Sequence, residues 1–313
     1  MSIQKFQQPL PHGVTLSCRA AGERGRPVLM FLHGFPEGAF VWDFMLEHFS
    51  HPDKGGYRCI APNLRGFEHS SAPDEVSAYR PKHLVQDIAA LIAIETQAQD
   101  GQLAALVAHD WGGAVAWNLA NQRPLLAQQL VIINSPHPGT FLRELKSSAA
   151  QQAASAYMNF LIRPDAEQLL AQDDYRRLWE FLTSSETGTE TPLWLTHEVR
   201  AQYREVWNCG LRGGCNLYRV SPLRPPRLED PGAAAVELPA GMLTVRLPTL
   251  LIWGLNDIAL PPALLDGLDA YIEDLTVHSV SGASHWIVHE QPQQVAQYIT
   301  SFLGRADGPK PAQ

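Results

Sequence analysis

The sequence is poor in the features that hold metals, nucleotides, nucleic acids and membranes. Its four cysteines, Cys18, Cys59, Cys209 and Cys215, form no Cys-x-x-Cys pair, which argues against a zinc site or a disulfide framework and predicts free thiols. The 12 histidines include no His-Glu-x-x-His or comparable spacing, so no metal is expected. No Gly-x-Gly-x-x-Gly or Gly-Lys-Ser/Thr loop offers a phosphate cradle, so no cofactor is expected either. Lys and Arg number 24 against 32 Asp and Glu, a formal charge of −8, with no basic cluster; nucleic acid and anionic membranes are therefore not expected partners. No run approaches the roughly 18 to 20 apolar residues of a membrane span. Residues 1–13 have neither a basic start nor an apolar stretch, so a soluble, cytoplasmic chain is the expectation. Oligomeric state stays open, a homodimer included.

What is present is a globular composition, 45% apolar over 313 residues, ordered in a recognisable rhythm. Short apolar runs at 27–32, 57–62, 104–109 and 130–134 read as buried parallel strands. Helical spacing at 80–98 and 113–121 separates them, giving an α/β fold with a mostly parallel sheet covered on both faces. From 140 to 219 only helix-like stretches rich in Tyr, Trp and Leu occur, and a Pro-rich connector, 221–248, leads back to strands at 249–253 and 275–280. The division expected is a core of 1–139 and 240–313 with a helical cap, 140–239, inserted over the site. The polar tail, 304–313, is expected to fray.

The chemistry is carried by Val107-Ala108-His109-Asp110-Trp111-Gly112-Gly113. This is a small-x-nucleophile-x-Gly turn between a strand and a helix, with Asp110 where Ser is usual and Ala108 and Gly112 as the small positions. A carboxylate attacking an ester or amide carbonyl would make an energetic anhydride. At a saturated carbon it makes an ordinary ester that water can cleave, so esterase and protease chemistry become unfavourable readings. The dipole of the helix behind the turn favours the ionised carboxylate. Alone, Asp110 reads equally as a helix N-cap, and alone His285 in a Ser-His-Trp turn reads as structural. Their order decides. Asp257 follows the strand at 249–253 and His285 follows the last strand, giving nucleophile, acid, histidine. In that scheme Asp257 fixes the imidazole tautomer and His285 deprotonates water. His33-Gly34-Phe35-Pro36 after the first strong strand is placed to form an oxyanion loop, with the amides of Phe35 and Trp111 as donors. His109, His137 and His289 are read as structural, the first two near the pocket.

His33-Gly34-Phe35-Pro36-Glu37, Leu64-Arg65-Gly66, His109-Asp110-Trp111-Gly112-Gly113, Asn134-Ser135-Pro136 and Gly282-Ala283-Ser284-His285-Trp286 together resemble the epoxide hydrolases of the α/β-hydrolase superfamily, kin to haloalkane and fluoroacetate dehalogenases. The resemblance spans nearly the full length and implies the α/β-hydrolase fold with a cap. The first, third and fifth motifs are shared with dehalogenases, so the cap must discriminate. Epoxide opening generates an alkoxide that needs an acid, whereas halide release needs only weak N–H donors. Tyr157, in Ser155-Ala156-Tyr157-Met158-Asn159-Phe160, resembles the first cap tyrosine of epoxide hydrolases, and Tyr218, in Asn216-Leu217-Tyr218-Arg219, the second. The resemblance implies that both phenols converge on the epoxide oxygen. Fluoroacetate dehalogenases would carry a His-Trp pair at Tyr157 and Met158 and an Arg at Trp111; haloalkane dehalogenases often carry Asn at Phe35. Phe35, Trp111, Met158, Phe160 and Trp286 are candidates for an apolar pocket, taken from their positions beside the catalytic set. The expected function is epoxide hydrolysis to a vicinal diol, with an apolar epoxide and water as partners. A dehalogenase with the same triad is the nearest alternative, and a non-catalytic ligand-binding protein on this fold the other. One departure is Gly66-Phe67-Glu68-His69-Ser70, where relatives favour a Gly-Tyr-Gly-x-Ser type turn; it leaves that loop and its cap contact open.

Overall fold

The apolar runs pair into one sheet. The computed structural model describes residues 2–97, 100–184, 191–228 and 230–305, and its strands are β1 Gln4–Pro9, β2 Thr15–Ala21, β3 Val28–Leu32, β4 Arg58–Pro62, β5 Ala105–His109, β6 Leu130–Ile133, β7 Thr249–Gly254 and β8 Leu275–Val280. They lie in the order β1-β2-β4-β3-β5-β6-β7-β8. From β4 to β8 all neighbours are parallel, while β1 and β2 add an antiparallel edge. The central strands β3 to β7 are buried along their whole length. Helices cover both faces of such a sheet, so its strands must be apolar throughout.

The first two strands have no counterpart in the strands expected from the sequence. β1 reads Gln-Lys-Phe-Gln-Gln-Pro and is mostly exposed, an edge strand whose pairing needs little apolar signal. β2 is buried, but its run is interrupted by Ser17 and Arg19. Arg19 is tolerated there because its guanidinium grips the Asp43 carboxylate, with Nε to Oδ1 at 2.7 Å.

The helices of the sheet layers are α1 Asp43–Ser50, α2 Pro81–Glu95 and α3 Trp111–Gln122, followed after the insertion by α10 Ile287–Glu290 and α11 Pro292–Leu303. Between β6 and β7, every helix or strand among the described residues is helical: α4 Pro138–Ser147, α5 Ala149–Ala154, α6 Tyr157–Leu161, α7 Ala166–Thr183, α8 His197–Asn208 and α9 Arg212–Val220. The connector that follows contains only short 3-10 turns. α7 is broken at Gln172–Tyr175, where Asp173, Asp174 and Tyr175 take φ of 54°, 54° and 62°. The break is tied to α8 by Arg204, whose Nη2 reaches Asp174 at 2.6 Å, and by the Tyr175 hydroxyl on Asn208 at 2.7 Å.

The loop that departs from the family pattern now has a shape. Gly66 has φ 86°, and a Cβ there would stand 2.6 Å from the Cα of Gly213 in α9, while a Cβ on Gly213 would stand 2.3 Å from the Cα of Gly66. Main chain therefore packs on main chain where α9 meets the core. All four cysteines are free thiols, no described helix is long and apolar enough to cross a membrane, and most of the tail lies outside the described residues.

α2 is fastened to β4 by a buried ion pair, Arg58 Nε to Glu95 Oε2 at 2.9 Å, with side chains 2% and 1% exposed. Removing one partner strands the other charge in the interior. Glu95→Ala is expected to lose roughly 3–5 kcal/mol of stability, measured by urea unfolding; a loss under about 1 kcal/mol, the range of exposed pairs, would show that the pair is solvated in solution.

Candidate active site

Asp110 sits at the turn between β5 and α3 with φ 47° and ψ −120°, a conformation that a non-glycine residue adopts only when its surroundings impose it. Its N–H donates to Ile133 O at 3.4 Å, and its carbonyl accepts from Ala114 N at 3.1 Å and from the Ser135 hydroxyl at 2.7 Å. The turn projects the carboxylate above the ends of the parallel strands, beside the loop after β3. There the Phe35 amide donates to Asp110 Oδ1 at 2.7 Å, and the Trp111 amide also hydrogen-bonds this carboxylate. Gly34 is required for that approach, since a Cβ on it would stand 2.3 Å from Asp110 Oδ1. The loop is pinned from behind by His33. Its Nε2 accepts from Leu64 N at 3.0 Å while Nδ1 faces Gly34 O at 2.8 Å, a single-tautomer arrangement kept neutral by burial, which lowers the ring's pKa to about 4.

Asp257 lies three residues after β7 and is buried. Its Oδ1 accepts from the amides of Ala259 and Leu260, each at 2.9 Å. Its Oδ2 accepts from Asn134 Nδ2 at 2.7 Å and faces His285 Nδ1 at 2.6 Å. Asn134 in turn accepts from Gly254 N at 2.9 Å, so the residue after β6 locks the end of β7. The other imidazole nitrogen of His285, Nε2, faces Asp110 Oδ2 at 3.8 Å, an ion-pair distance. Chain segments remote in sequence thus bring Asp110, His285 and Asp257 into one line.

The charges in this line depend on one another. Burial alone would raise the Asp257 carboxyl, but His285 and the hydrogen bonds it receives hold it below the ordinary carboxylate range. Burial likewise opposes the His285 cation, yet Asp257 first and Asp110 next raise its pKa to about 9. Asp110 itself is raised by burial, against the pull of His285 and the two amides.

Tyr157 opens α6 and Tyr218 lies in α9, and both line one cavity of about 540 Å³ together with Asp110 and Trp111. The Tyr218 ring packs edge-on to Trp111, Phe35 and Tyr157, with centroids 4.9, 5.5 and 6.0 Å away. Its hydroxyl lies in hydrogen-bonding contact with Trp111 and Tyr157. Burial, and then nearby groups that include the Asp110 charge, push both phenols well above their ordinary pKa. Of the pocket residues expected from the sequence, Trp111 and Met158 line this cavity, whereas Phe35 and Phe160 line a neighbouring one of about 240 Å³. Trp286 lines neither of them; it stands edge-on to His285 at 4.9 Å and against Phe181 at 5.8 Å.

Reasoning from sequence gave no role to Glu37, Asn134 or Ser135. Glu37 is 1% exposed and accepts the Tyr203 hydroxyl at 3.0 Å, with His289 Nε2 on the same oxygen at 3.0 Å and His109 Nδ1 on the other at 3.0 Å. His109 Nε2 continues to the carbonyl of His285 at 2.9 Å. His109 and His289 therefore connect through a buried carboxylate that a surface-averse position in the His-Gly-Phe-Pro-Glu motif was the one signal for. His137 is held beside the cavity wall, its Nδ1 accepting from Gly139 N at 3.2 Å and its Nε2 facing the carbonyl of the wall residue Leu243 at 2.9 Å. Among the described residues no cluster of three or more His, Cys, Asp or Glu is arranged to hold a metal.

Comparisons with known proteins agree with this architecture. Residues 27–292 match the family model described as the alpha/beta hydrolase fold. The chain is 34% identical to the AB hydrolase superfamily protein YfhM of Bacillus subtilis (strain 168), over 93% of this chain and 95% of that protein. It is 32% identical to epoxide hydrolase 4 of Homo sapiens, over 91% of this chain and 74% of that protein. Among solved structures, an inhibitor complex of Bacillus megaterium epoxide hydrolase superposes with a TM-score of 0.84 at 29% identity, covering 96% of this chain and all (100%) of that one. A novel epoxide hydrolase from metagenomes of hot environments is 34% identical with a TM-score of 0.79, covering 97% and 99%. The chain belongs to the α/β-hydrolase superfamily, in the branch that holds the epoxide hydrolases.

Proposed function

We propose that this protein hydrolyses apolar epoxides to vicinal diols through an ester on Asp110, with residues 140–239 acting as the cap that supplies the acid. The observation that carries the reading is the meeting of Asp110 with two buried phenols, Tyr157 and Tyr218, on one cavity. Strain in the ring does not remove the need to protonate the departing oxygen. Phenols whose pKa values are raised stay protonated and able to donate. The names of the relatives point the same way.

In the first half of the proposed cycle, Asp110 Oδ2 attacks a ring carbon while Oδ1 stays in the grip of the Phe35 and Trp111 amides. The carbon–oxygen bond of the ring breaks, and Tyr157 and Tyr218 donate to the leaving oxygen, one of them giving its proton. In the second half, water attacks Cγ of the ester and His285 Nε2 takes the water proton, with Asp257 orienting the ring through Nδ1. The negative charge of the tetrahedral intermediate develops on Oδ1, where the two amides already point. Before water attacks, His285 loses its resting proton to solvent and the phenolate takes one from solvent; collapse then breaks the Cγ–Oδ2 bond, the imidazolium protonates the departing oxygen to release the diol, and the re-formed Asp110 carboxyl, carrying the other water hydrogen, passes a proton to His285 to restore the resting state. Esterification is also what turns His285 into a base. While Asp110 is charged, it helps hold His285 protonated, with a pKa of about 9; once Asp110 is an uncharged ester, that contribution vanishes and the imidazole more readily loses its proton.

Three outcomes test this. His285→Gln exposed to an apolar terminal epoxide is expected to gain the mass of the whole epoxide on the Asp110 peptide, read by intact-protein and peptide mass spectrometry; an alkyl adduct formed from a matching haloalkane alone would instead identify a dehalogenase. Replacing both Tyr157 and Tyr218 by Phe is expected to slow ester formation by about 10²–10⁴-fold, the range for a general acid, with smaller effects for either change alone, in single-turnover stopped flow. In Asp110→Ala the His285 pKa is expected to fall below the resting value of about 9, because the second largest of the three carboxylate contributions favouring the cation, after Asp257 and ahead of Glu37, is gone. An imidazole NMR titration reads this directly, and an unchanged pKa would break the proposed coupling.

A further inference from the structure

The cavity of about 540 Å³ extends well beyond the catalytic groups. Trp111, Ala114, Val115, Asn118 and Gln122 all line it, and their spacing keeps to one side of α3, so the cavity runs along that helix from its first residue to its last. α3 has 12 residues, and at about 1.5 Å per residue Trp111 to Gln122 spans roughly 16 Å. Exposure rises along the way. At the Asp110 end the wall residues Met158, Leu217 and Tyr218 are buried, whereas elsewhere on the wall Met242 is half exposed and Arg80, Lys82 and Gln122 are exposed. The channel is closed at the nucleophile and open at the end of α3.

Midway along it the wall offers a ligand no spare hydrogen bond from α3. Asn118 is spent within the helix: its Nδ2 donates to Ala114 O at 2.9 Å and its Oδ1 accepts from Gln122 Nε2 at 3.4 Å. Leu217, Val220, Leu223, Leu238 and Leu243 add apolar wall. The last two belong to the connector after α9, and that segment is clamped. Asn121 Nδ2 donates to Gly241 O and to Thr244 O, each at 2.9 Å, and His137 Nε2 meets Leu243 O at 2.9 Å. Drawn out evenly over the helix, the volume of about 540 Å³ corresponds to a bore roughly 6–7 Å across. That is room for one alkyl chain but not for two side by side, since packed apolar atoms stand about 4.0–4.5 Å apart.

We infer that α3 and the clamped connector form a channel that selects one long, unbranched alkyl arm of the substrate. The inference rests on the epoxide hydrolase reading and narrows it. With the ring at Asp110, an arm advancing about 1.25 Å per carbon–carbon bond reaches Asn118 with roughly 8 carbons and Gln122 with roughly 13. The preferred class is then an epoxide carrying one straight arm of that length; methylenes past the rim return to water and gain nothing.

The channel is measured first without the chemistry, by calorimetry of 1-alkanols from butanol to dodecanol on the full chain. Affinity is expected to grow with length, by up to about fourfold per carbon as burial of one methylene implies; an affinity that does not grow overturns the channel. In Asn118→Trp the indole blocks the channel midway, and growth is expected to stop near roughly 8 carbons. Growth that continues as in wild type overturns the channel, whatever the protein does to epoxides. If that variant does not fold, as judged by thermal melting, Asn118→Leu decides: a decanol-to-butanol affinity ratio above that of wild type supports the channel, and an unchanged ratio overturns it. Turnover of 1,2-epoxyalkanes is then compared over the same lengths. A kcat/KM that climbs with the arm, and falls at least about tenfold when the arm carries two methyl groups on its fourth carbon, as overpacking implies, supports the inference; a branched arm accepted as well as a straight one overturns it. Asn121→Ala, which frees the connector, is expected to return part of that loss, and no return overturns the clamp as the cause of the selection. Alkanol binding as expected without any ester on Asp110 in His285→Gln would retain the channel and overturn its assignment to an epoxide.

Discussion

The backbone of Asp110 is the constraint from which the rest of the site follows. Its φ of 47° belongs to a region that L side chains avoid, at a cost of order 1–3 kcal/mol. The surrounding sheet over-determines it. β6 receives its N–H, α3 and Ser135 hold its carbonyl, and Gly112, on which a Cβ would stand 2.4 Å from Leu32 O, lets α3 crowd against the end of β3. The reward of this geometry is position. The carboxylate stands clear of the strand ends, within reach of two main-chain amides on one side and an imidazole on the other, without relying on a flexible side chain to get there.

Around that turn, buried polar groups are used in closed sets. Asp257 accepts two amides, an amide side chain and an imidazole, and Glu37 gathers His109, His289 and Tyr203. Each carboxylate joins segments distant in sequence, and Glu37 links the loop after β3 to α8 of the insertion. Such fully satisfied sets are directional in a way that apolar packing is not, so they fix orientation as well as proximity. The charge balance among Asp110, His285 and Asp257 follows from the same enclosure, since in water the three would interact far more weakly.

Much of this was legible in the sequence, and the reasons differ by element. The central strands announce themselves because burial on both faces forces unbroken apolar runs, as in Val-Leu-Met-Phe-Leu of β3. β1 does not, because an exposed edge strand is held by main-chain bonds that any sequence can make. Asp110, Asp257 and His285 were visible as residue types at the ends of strands, an order the topology requires. Tyr157 and Tyr218 stood out only by resemblance, since a tyrosine on a helix has the same pattern whether it packs or faces a cavity. Trp286 was placed in the pocket from its neighbour in sequence, but residues adjacent in a turn point in different directions, and it walls His285 instead. The carbonyl-holding Ser135 and the hub Glu37 depend on contacts across 25 residues or more, which no local pattern encodes.

Tyr157 and Tyr218 come from the helical insertion, whereas Asp110, Asp257, His285 and the Phe35 amide come from the sheet layer. In the proposed cycle, forming the ester therefore needs both bodies in register, but clearing it calls only on groups of one. Displacing the insertion would silence the enzyme before it could be modified, and a molecule already carrying the ester would keep the means to shed it. In that cycle, the division of labour between the two layers would keep the protein from being trapped by its own intermediate.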